Sequence, residues 1–494
     1  MPGASRSGIR AGCSESRVPV DAIGSFPQAA PYRRRVRRVT VAALFGLIVS
    51  GIAAAPPGHS AGAGLIVVHP PRIQLGDASL AGYSGSELDR VTVMWQTTGS
   101  PAGDVFEVAV RVGTDWVGAG PVSVEDVGES RLMHRVELEG LQWNARHEYV
   151  VRHLRDGVEV GSWSSRFRTR LRAGDSRPFA FAAYGDSAWR VAPDPADRVQ
   201  GAIADSPAAF TLLLGDNAYD DGTARDLDAR FDPDLAPSSA ALLARHIEYV
   251  AFGNHDIRTD GGRPSEIAFA VPVPEEGVDA PTAPPEFERP EHNYSFDHGM
   301  AHFLTFDTTS ITSPDRLNAL LDWVQEDMAA SDARWKVVFG HHPVGGSPDK
   351  VGEIDRYPQY VTQVVERLVE SGVDLFLVGH SHTVSWTFPL TGAPDGAIAF
   401  VEDSDGRFRA GEGPVQVVSG AGGRSLRHGR HDDPFVAAAW TLDSDPILEY
   451  GFVLIEVRGL ELEVSYVAAE GGEVLGRFFI VIPTPAFGGA RYAR

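Results

Sequence analysis

Cysteine is almost absent from this chain of 494 residues, in which Cys13 is the only one. Cys13 lies in an N-terminal segment with the pattern of an export signal, described below. The remainder of the chain therefore excludes disulfides, cysteine nucleophiles and zinc sites built from thiolates.

Positive charge is also scarce, with 44 Lys and Arg against 66 Asp and Glu and a formal net charge of -22. A protein this acidic repels nucleic acid and anionic membrane surfaces, so we expect neither as a partner. An anionic substrate is still possible where bound metal cations override the overall negative field.

Long apolar runs are missing apart from one, from Val39 to Ala55, which follows an arginine cluster at Arg33–Arg38. The run is shorter than the roughly 20 residues that a membrane-spanning helix needs. A basic stretch, a short apolar run and a small-residue end predict a cleavable export signal. We therefore expect an exported protein without a permanent membrane span, the alternative being that the segment stays as an anchor.

The chain divides by its patterns into three parts. Residues 1–64 are predicted to be the export signal and a linker. Residues 65–172 contain short alternating runs such as "RVTVMWQTT" (Arg90–Thr98), which are typical of an all-β sandwich. Residues 177–494 alternate apolar runs with amphipathic stretches such as "PDRLNALLDWVQEDMAA", which predict an α/β domain.

Further features are predicted within that last part. Tyr294–Thr308 has the pattern of a β-hairpin. Val271–Pro290 is rich in Pro and Glu and is predicted to be a surface loop. The strands near the C-terminus are expected to complete a second sheet of the same domain.

Five apolar runs of the α/β domain end in glycine followed by metal-ligand residue types. These residues are Asp186, Asp216 with Tyr219, Asn254 with His255, His341 with His342, and His380 with His382. Glycine lets the backbone bend sharply after a strand, so that the next side chain points into a shared cleft. Because α/β folds place their chemistry at the carboxyl ends of strands, the five motifs predict one common metal site.

The ordered set resembles the metallophosphoesterase superfamily, the calcineurin-like phosphoesterases, from about residue 177 to the C-terminus. Most members carry a histidine two residues after the first aspartate, where this chain has Ala188. The tyrosine of the G-D-x-x-Y motif, Tyr219, instead resembles the purple acid phosphatase branch. The preceding β-sandwich is similar to the fibronectin type III-like domain of the plant enzymes. The resemblance implies a metallophosphoesterase β-sandwich flanked by helices.

The resemblance also implies two metal ions. The first, a ferric ion, is expected on Asp186, Asp216, Tyr219 and His382. The second, Fe(II), Zn or Mn, is expected on Asp216, Asn254, His341 and His380, with Asp216 bridging the pair. A phenolate is a hard anionic donor suited to a trivalent cation.

Phosphate ester hydrolysis follows from such a centre, because two cations neutralise phosphate oxygens and lower the pKa of a bound water. By resemblance, His255 donates a proton to the leaving group or contacts the phosphate. His342, which follows the ligand His341, is a second candidate for direct participation.

Two places depart from the family pattern. Lys350 and Val351 stand where members often have histidines, and Val384–Trp386 stands where purple acid phosphatases tend to read Y-E-R. Both places are expected to border the substrate pocket. The leading prediction is a secreted phosphomonoesterase. The alternatives are a phosphodiesterase or nucleotide hydrolase on the same site, and a non-catalytic secreted binding protein.

Overall fold

The computed structural model of the protein describes residues 64–76, 87–99, 103–271, 290–311, 313–346, 358–403, 405–429, 431 and 433–483. All of them belong to one compact unit, Thr40–Arg494. The predicted export signal, the interior of the predicted Val271–Pro290 loop, and Lys350 with Val351 lie outside the described residues.

The N-terminal part is all-β, as predicted. Its strands are β1 (Ile66–Gln74), β2 (Asp89–Thr98), β3 (Asp104–Val112), β4 (Asp115–Gly118), β5 (Ser123–Asp126), β6 (Arg131–Leu141), β7 (Arg146–Arg155) and β8 (Val158–Arg168). They form two four-stranded sheets, in the orders β1-β2-β6-β5 and β4-β3-β7-β8. The fully buried Trp95 of β2 meets Phe106 of β3 at a ring distance of 5.1 Å, so the two sheets pack face to face.

The following part contains eighteen strands and six α-helices within the described residues. The strands are β9 (Phe179–Tyr184), β10 (Ala188–Trp189), β11 (Phe210–Leu214), β12 (Ala218–Tyr219), β13 (Ile247–Ala251), β14 (Tyr294–His298), β15 (Ala301–Thr305), β16 (Trp335–Phe339), β17 (Leu375–Val378), β18 (Val384–Thr387), β19 (Leu390–Gly392), β20 (Ala399–Phe400), β21 (Arg407–Arg409), β22 (Val415–Ser419), β23 (Val436–Trp440), β24 (Gly451–Arg458), β25 (Glu461–Ala468) and β26 (Val474–Val481). The helices are α1 (Asp194–Asp205), α2 (Asp228–Phe231), α3 (Pro237–Leu243), α4 (Arg263–Ala268), α5 (Pro314–Ala330) and α6 (Pro358–Glu370).

Two seven-stranded sheets form the centre of this part. Their orders are β13-β11-β9-β24-β25-β26-β21 and β14-β15-β16-β17-β22-β18-β23. Phe303 of β15 meets Phe181 of β9 edge to face at 5.1 Å and Phe210 of β11 at 5.4 Å, so aromatic side chains fill the space between the sheets. The predicted hairpin is present, because β14 and β15 pair antiparallel.

Helix α5 illustrates how local sequence sets the elements. The Ser313 hydroxyl accepts a hydrogen bond from the Arg316 N–H, and Pro314 occupies the first turn, where its missing N–H has no cost. Leu317, Leu320, Leu321, Val324 and Met328 are buried at helical spacing. The helix therefore covers one face of the sheet with an apolar stripe.

The expectation for the C-terminal strands is only partly correct. Strand β22 joins the second sheet, but β24 pairs antiparallel with β9, and β25 and β26 extend that first sheet. Strand propensity does not encode which sheet a strand joins, because pairing partners can be far apart in sequence.

The expected pocket-rim position of Val384–Trp386 is also wrong. These residues lie in β18, and Trp386 packs against Trp440 and Phe478 in the core.

The N-terminal sheets contact the following domain through a charged cluster around Asp228, the first residue of α2. The Asp228 carboxylate accepts a hydrogen bond from His69 Nε2 at 2.8 Å and two from Arg131 at 2.8 and 3.0 Å. Burial would raise the pKa of Asp228, but the bonds from His69 and Arg131 lower it to about 2. The cluster fixes the position of α2.

Within the described residues, no helix combines the length and the apolar character needed to cross a membrane.

Candidate dimetal centre

The five predicted motifs lie at the carboxyl ends of strands from both central sheets. Strands β9, β11 and β13 run parallel in the first sheet, and β16 and β17 run parallel in the second. Each is followed by the glycine and the ligand-type residues that the sequence predicted. Parallel strands present their carboxyl ends at one edge, so residues far apart in sequence meet there.

The first group consists of Asp186, Asp216 and His382, whose ligand atoms all lie within 4.8 Å of one another. The Tyr219 hydroxyl lies between them, 2.9 Å from Asp186 Oδ1, 2.8 Å from Asp216 Oδ2 and 3.1 Å from His382 Nε2. His382 Nδ1 donates to the Ser425 carbonyl, so its Nε2 presents a lone pair to the group. The single phenol proton of Tyr219 cannot form hydrogen bonds to all three of these atoms at once, whereas a bound cation can be coordinated by all of them.

The second group consists of His341, His342 and His380, again with ligand atoms within 4.8 Å. His341 Nε2 lies 3.1 Å from His380 Nδ1, 3.2 Å from Asn254 Oδ1 and 3.4 Å from Asp216 Oδ1. The Leu214 carbonyl accepts a hydrogen bond from His341 Nδ1, so a neutral His341 directs the lone pair of Nε2 at these atoms. Asp216 reaches both groups, which suits a bridging carboxylate.

The pKa values of the buried groups reflect the same crowding. Burial would lower the pKa of His341, but the Asp216 carboxylate raises it to about 9. Burial raises the pKa of the Tyr219 phenol well above its usual value, and the Asp186 and Asp216 carboxylates add to this. Positive charge is therefore favoured at this place, and cations satisfy the donor set: carboxylate, phenol, amide and imidazole groups all bind first-row metals.

Four of the ligand-type residues adopt left-handed backbone conformations, with φ of 57° at Asp186, 52° at Asp216, 72° at His380 and 52° at His382. Such conformations cost on the order of 1–3 kcal/mol each for residues other than glycine and are concentrated at functional sites. The surrounding sheets compensate for this cost.

Glycine is required next to the ligands because of close approach. A Cβ atom on Gly253 would stand 2.2 Å from the Asp216 backbone nitrogen, and one on Gly420 would stand 2.7 Å from Asp186 Oδ2. From the sequence, the strand-end glycines were explained by the sharp bend of the backbone after each strand. The structure adds a second explanation, because neighbouring loops approach so closely at Gly253 and Gly420 that a side chain would clash.

Of the two residues predicted to be catalytic, His255 lies beside these groups and His342 is a member of the second one. His255 is slightly exposed, and its Nδ1 donates to the Asp220 carbonyl at 2.5 Å. Burial lowers the pKa of His255. The ring of His342 is buried, 4.4 Å from that of His380, and its Nδ1 lies 2.7 Å from the Thr308 hydroxyl. The position of His342 suits a metal ligand as well as a phosphate contact.

All nine predicted residues are thus brought together, and their individual roles stay predictions.

Two arginines at the site were missed by sequence reasoning. Arg230 is fully buried, bonds Ser187 directly after Asp186, and pairs with Glu248 at 3.2 Å. Arg424 lies over the Tyr219 ring. Arg230 had no local signal. Arg424 follows "SGAGG", a glycine-rich turn directly after β22 that could have been read as a sixth strand-end motif.

Comparison with known proteins agrees with this geometry. Residues 187–384 match the family model of the calcineurin-like phosphoesterases. The chain is 26% identical over 278 residues to human (Homo sapiens) tartrate-resistant acid phosphatase type 5, over 53% of this chain and 77% of that protein. It is 26% identical to purple acid phosphatase 17 of Arabidopsis thaliana over 180 residues, which are 35% of this chain and only about half (52%) of that protein.

Solved structures share the fold. A purple acid phosphatase, PPD1, from yellow lupin (Lupinus luteus) seeds superposes with a TM-score of 0.66 at 16% identity, over 85% of this chain and 77% of that one. PhoD superposes with a TM-score of 0.55 at 14% identity, over 86% and 92% of the two chains.

The matched residues, 187–384, define a calcineurin-like phosphoesterase domain within this chain. The fold is shared with the purple acid phosphatase PPD1, and an all-β domain precedes the matched one.

Proposed function

We propose that the protein is an exported phosphomonoesterase that uses two metal ions. The proposed ligands are Asp186, Asp216, Tyr219, Asn254, His341, His380 and His382, with Fe(III) at the Tyr219 side and Fe(II), Zn or Mn at the other. The observation that carries the proposal is the convergence of two groups of ligand atoms joined through Asp216.

When bound, two cations neutralise the phosphate oxygens and lower the pKa of a coordinated water. The protein's own residues supply the rest. His341 and His382 each donate through Nδ1 to a backbone carbonyl, which fixes the ring orientation and tautomer. Because the Asp216 carboxylate lies between the groups, it reduces the repulsion between two neighbouring cations.

His255 is proposed as the proton donor to the leaving oxygen or as a phosphate contact. Its Nδ1–H is held by the Asp220 carbonyl, so Nε2 is the atom that could exchange a proton. His342 is proposed as a second participant, with Thr308 holding its ring.

The test is metal analysis of the purified full chain beside a panel of phosphomonoesters and phosphodiesters. We expect two metals per chain and higher kcat/KM on monoesters, with Asp216→Ala as the inactive control. Faster turnover of diesters or nucleotides would support the alternative substrate class. Full metal occupancy without turnover of any ester would support a binding protein.

Export is proposed from the arginine cluster and the short apolar run before residue 56. Fractionation of the native host should find the protein outside the cytoplasmic membrane, and a full-length cytoplasmic protein would contradict this. Residues 65–172 are proposed to form a fibronectin type III-like module, with the catalytic domain at 177–494. The contacts of His69 and Arg131 with Asp228 suggest that the module supports α2.

A further inference from the structure

Arg424 belongs to a segment that ties two of the ligand loops together. Its backbone N–H donates to the Asp186 carbonyl at 2.8 Å. The carbonyl of the next residue, Ser425, accepts the hydrogen bond from His382 Nδ1 at 2.8 Å. The position of Arg424 is therefore fixed by the same loops that present Asp186 and His382.

The guanidinium of Arg424 lies against two aromatic rings. Its central carbon is 3.9 Å from the centroid of Trp189 and 5.1 Å from that of Tyr219. Tyr219 is the residue whose hydroxyl lies at the first ligand group. Stacking orients the planar guanidinium and restricts its motion, which favours recognition of an anion at low entropic cost.

The polar contacts of Arg424 leave donors for a ligand. Among the described residues, its guanidinium donates to Asp220 Oδ1 at 3.1 Å and to the Ser425 hydroxyl at 3.3 Å. A guanidinium has five N–H donors. The Arg424 side chain is 22% exposed and the Asp220 side chain is 52% exposed, so the ion pair lies where solvent and substrate have access.

We propose that Arg424 is a substrate-binding residue that selects dianionic phosphomonoesters over diesters, and that Asp220 holds its guanidinium until the substrate phosphate displaces the carboxylate. The inference rests on the proposed function. It concerns a residue that lies outside the nine strand-end positions and contributes a fixed positive charge to a chain with a net charge of -22.

The preference follows from the oxygens that each substrate offers. A phosphomonoester has three non-bridging oxygens and a charge close to −2 at neutral pH. If two of the oxygens bind the proposed metal ions, the third remains for the positively charged guanidinium of Arg424. A phosphodiester has two non-bridging oxygens and a single charge. Arginine matches phosphate geometry through paired N–H donors, and charge-assisted bonds of this kind are stronger than neutral ones.

The first experiment compares Arg424→Ala with Arg166→Ala. Arg166 lies in β8 of the N-terminal sheets with a side chain that is 80% exposed, so its replacement makes the same change in net charge elsewhere. For Arg424→Ala we expect kcat/KM on an aryl phosphomonoester to fall about 10- to 100-fold, mainly through KM. Hydrolysis of the matching aryl phosphodiester should change less than about threefold, and Arg424→Lys should recover part of the loss.

A binding measurement accompanies the kinetics. Calorimetry with inorganic phosphate on the metal-loaded protein should show the same loss of affinity in Arg424→Ala and no loss in Arg166→Ala. Metal content and thermal unfolding of each variant establish that the fold and the metal centre are intact. If Arg424→Ala does not fold, Arg424→Gln keeps the packing and carries the same test.

The second experiment examines Asp220 by a double-mutant cycle. Asp220→Asn keeps the backbone carbonyl that holds His255 but weakens the hold on Arg424, so KM for the monoester should fall severalfold. The same substitution in the Arg424→Ala background should have no effect. Asp221→Asn, which removes a neighbouring carboxylate, controls for general charge.

The outcomes distinguish a failure of the proposed function from a failure of the inference about Arg424. A wild type that neither hydrolyses phosphate esters nor binds inorganic phosphate overturns the proposed function and the inference with it. An active wild type overturns the inference alone if Arg424→Ala is unchanged, or if it loses monoester and diester turnover equally. An Asp220→Asn effect that persists without Arg424 overturns the part assigned to Asp220.

Discussion

Replacement of His292 by glutamine tests how much a buried, charged histidine stabilises the loops around the candidate site. The His292 ring is fully buried and stacks on Phe252, at 3.9 Å, just before the Gly253–Asn254 turn. Its Nδ1 lies 2.9 Å from Asp307 and its Nε2 lies 3.2 Å from Glu266. Asp307 precedes Thr308, which holds His342. His292 therefore links two of the loops that carry site residues.

The magnitude follows from the charge on this imidazole. Burial would lower the pKa of His292, but the hydrogen bonds to Asp307 and Glu266 raise it to about 9 from 6.5. A difference of this size corresponds to about 3 kcal/mol of stability. Because the folded pKa is raised, the contribution is fully present below pH 6.5 and is lost as the pH rises through 9.

We therefore expect His292→Gln to lower the free energy of unfolding by about 3 kcal/mol at pH 6, with the charge-dependent part falling below about 1 kcal/mol at pH 9. Urea unfolding followed by tryptophan fluorescence at several pH values measures the difference from wild type. That difference isolates His292, because wild type and variant share the other titrating groups.

His298→Gln is the matched control. His298 is a second buried histidine in β14, and burial lowers its pKa to about 3, so it stays neutral from pH 6 to 9. Its variant should show a deficit that does not shrink between pH 6.5 and 9. A deficit for His292→Gln that stays constant over this range would refute the reasoning, since the ring would then act by packing alone.

Three further predictions concern the metal centre. Asp216→Ala should lose both metals and all activity, because its carboxylate reaches both ligand groups; two metals per chain in the variant would show that the bridge is misassigned. Tyr219→Phe keeps the ring packing but removes the donor oxygen, so the iron-loaded, oxidised protein should lose the visible absorption band of the wild type. A wild type that is colourless at full iron occupancy would contradict the phenolate assignment. His255→Ala should cut turnover about 10²–10⁴-fold at unchanged metal content, with a smaller deficit on esters of activated phenols; equal deficits on all esters would leave only a role in phosphate binding.

Local patterns were sufficient to predict most of the elements and the residues that meet at the candidate site. Apolar runs at strand length, amphipathic helices such as α5 and the 294–308 hairpin appear as predicted, because period and turn chemistry act over a few neighbouring residues. The strand-end motifs were visible for the same reason. Each combines a buried strand, a glycine and a ligand within a few positions.

Long-range pairing limited the prediction of the fold. Strands β24 to β26 have alternating patterns that suit either central sheet, and the antiparallel pairing of β24 with β9 joins residues about 270 positions apart. The buried position of Val384–Trp386 has the same cause, since packing against Trp440 and Phe478 decides it.

The sequence alone determined that this chain carries an ordered set of metal-ligand residue types that meet at one place, because those side chains follow strands whose ends share an edge. Only the tertiary structure decided what surrounds them. Arg424 reaches Asp220, and Arg230 reaches Glu248 and Ser187, through side chains whose direction depends on the packing of several elements. Such contacts leave no periodic trace in the sequence, because a long side chain can meet partners that its neighbours in the chain do not specify.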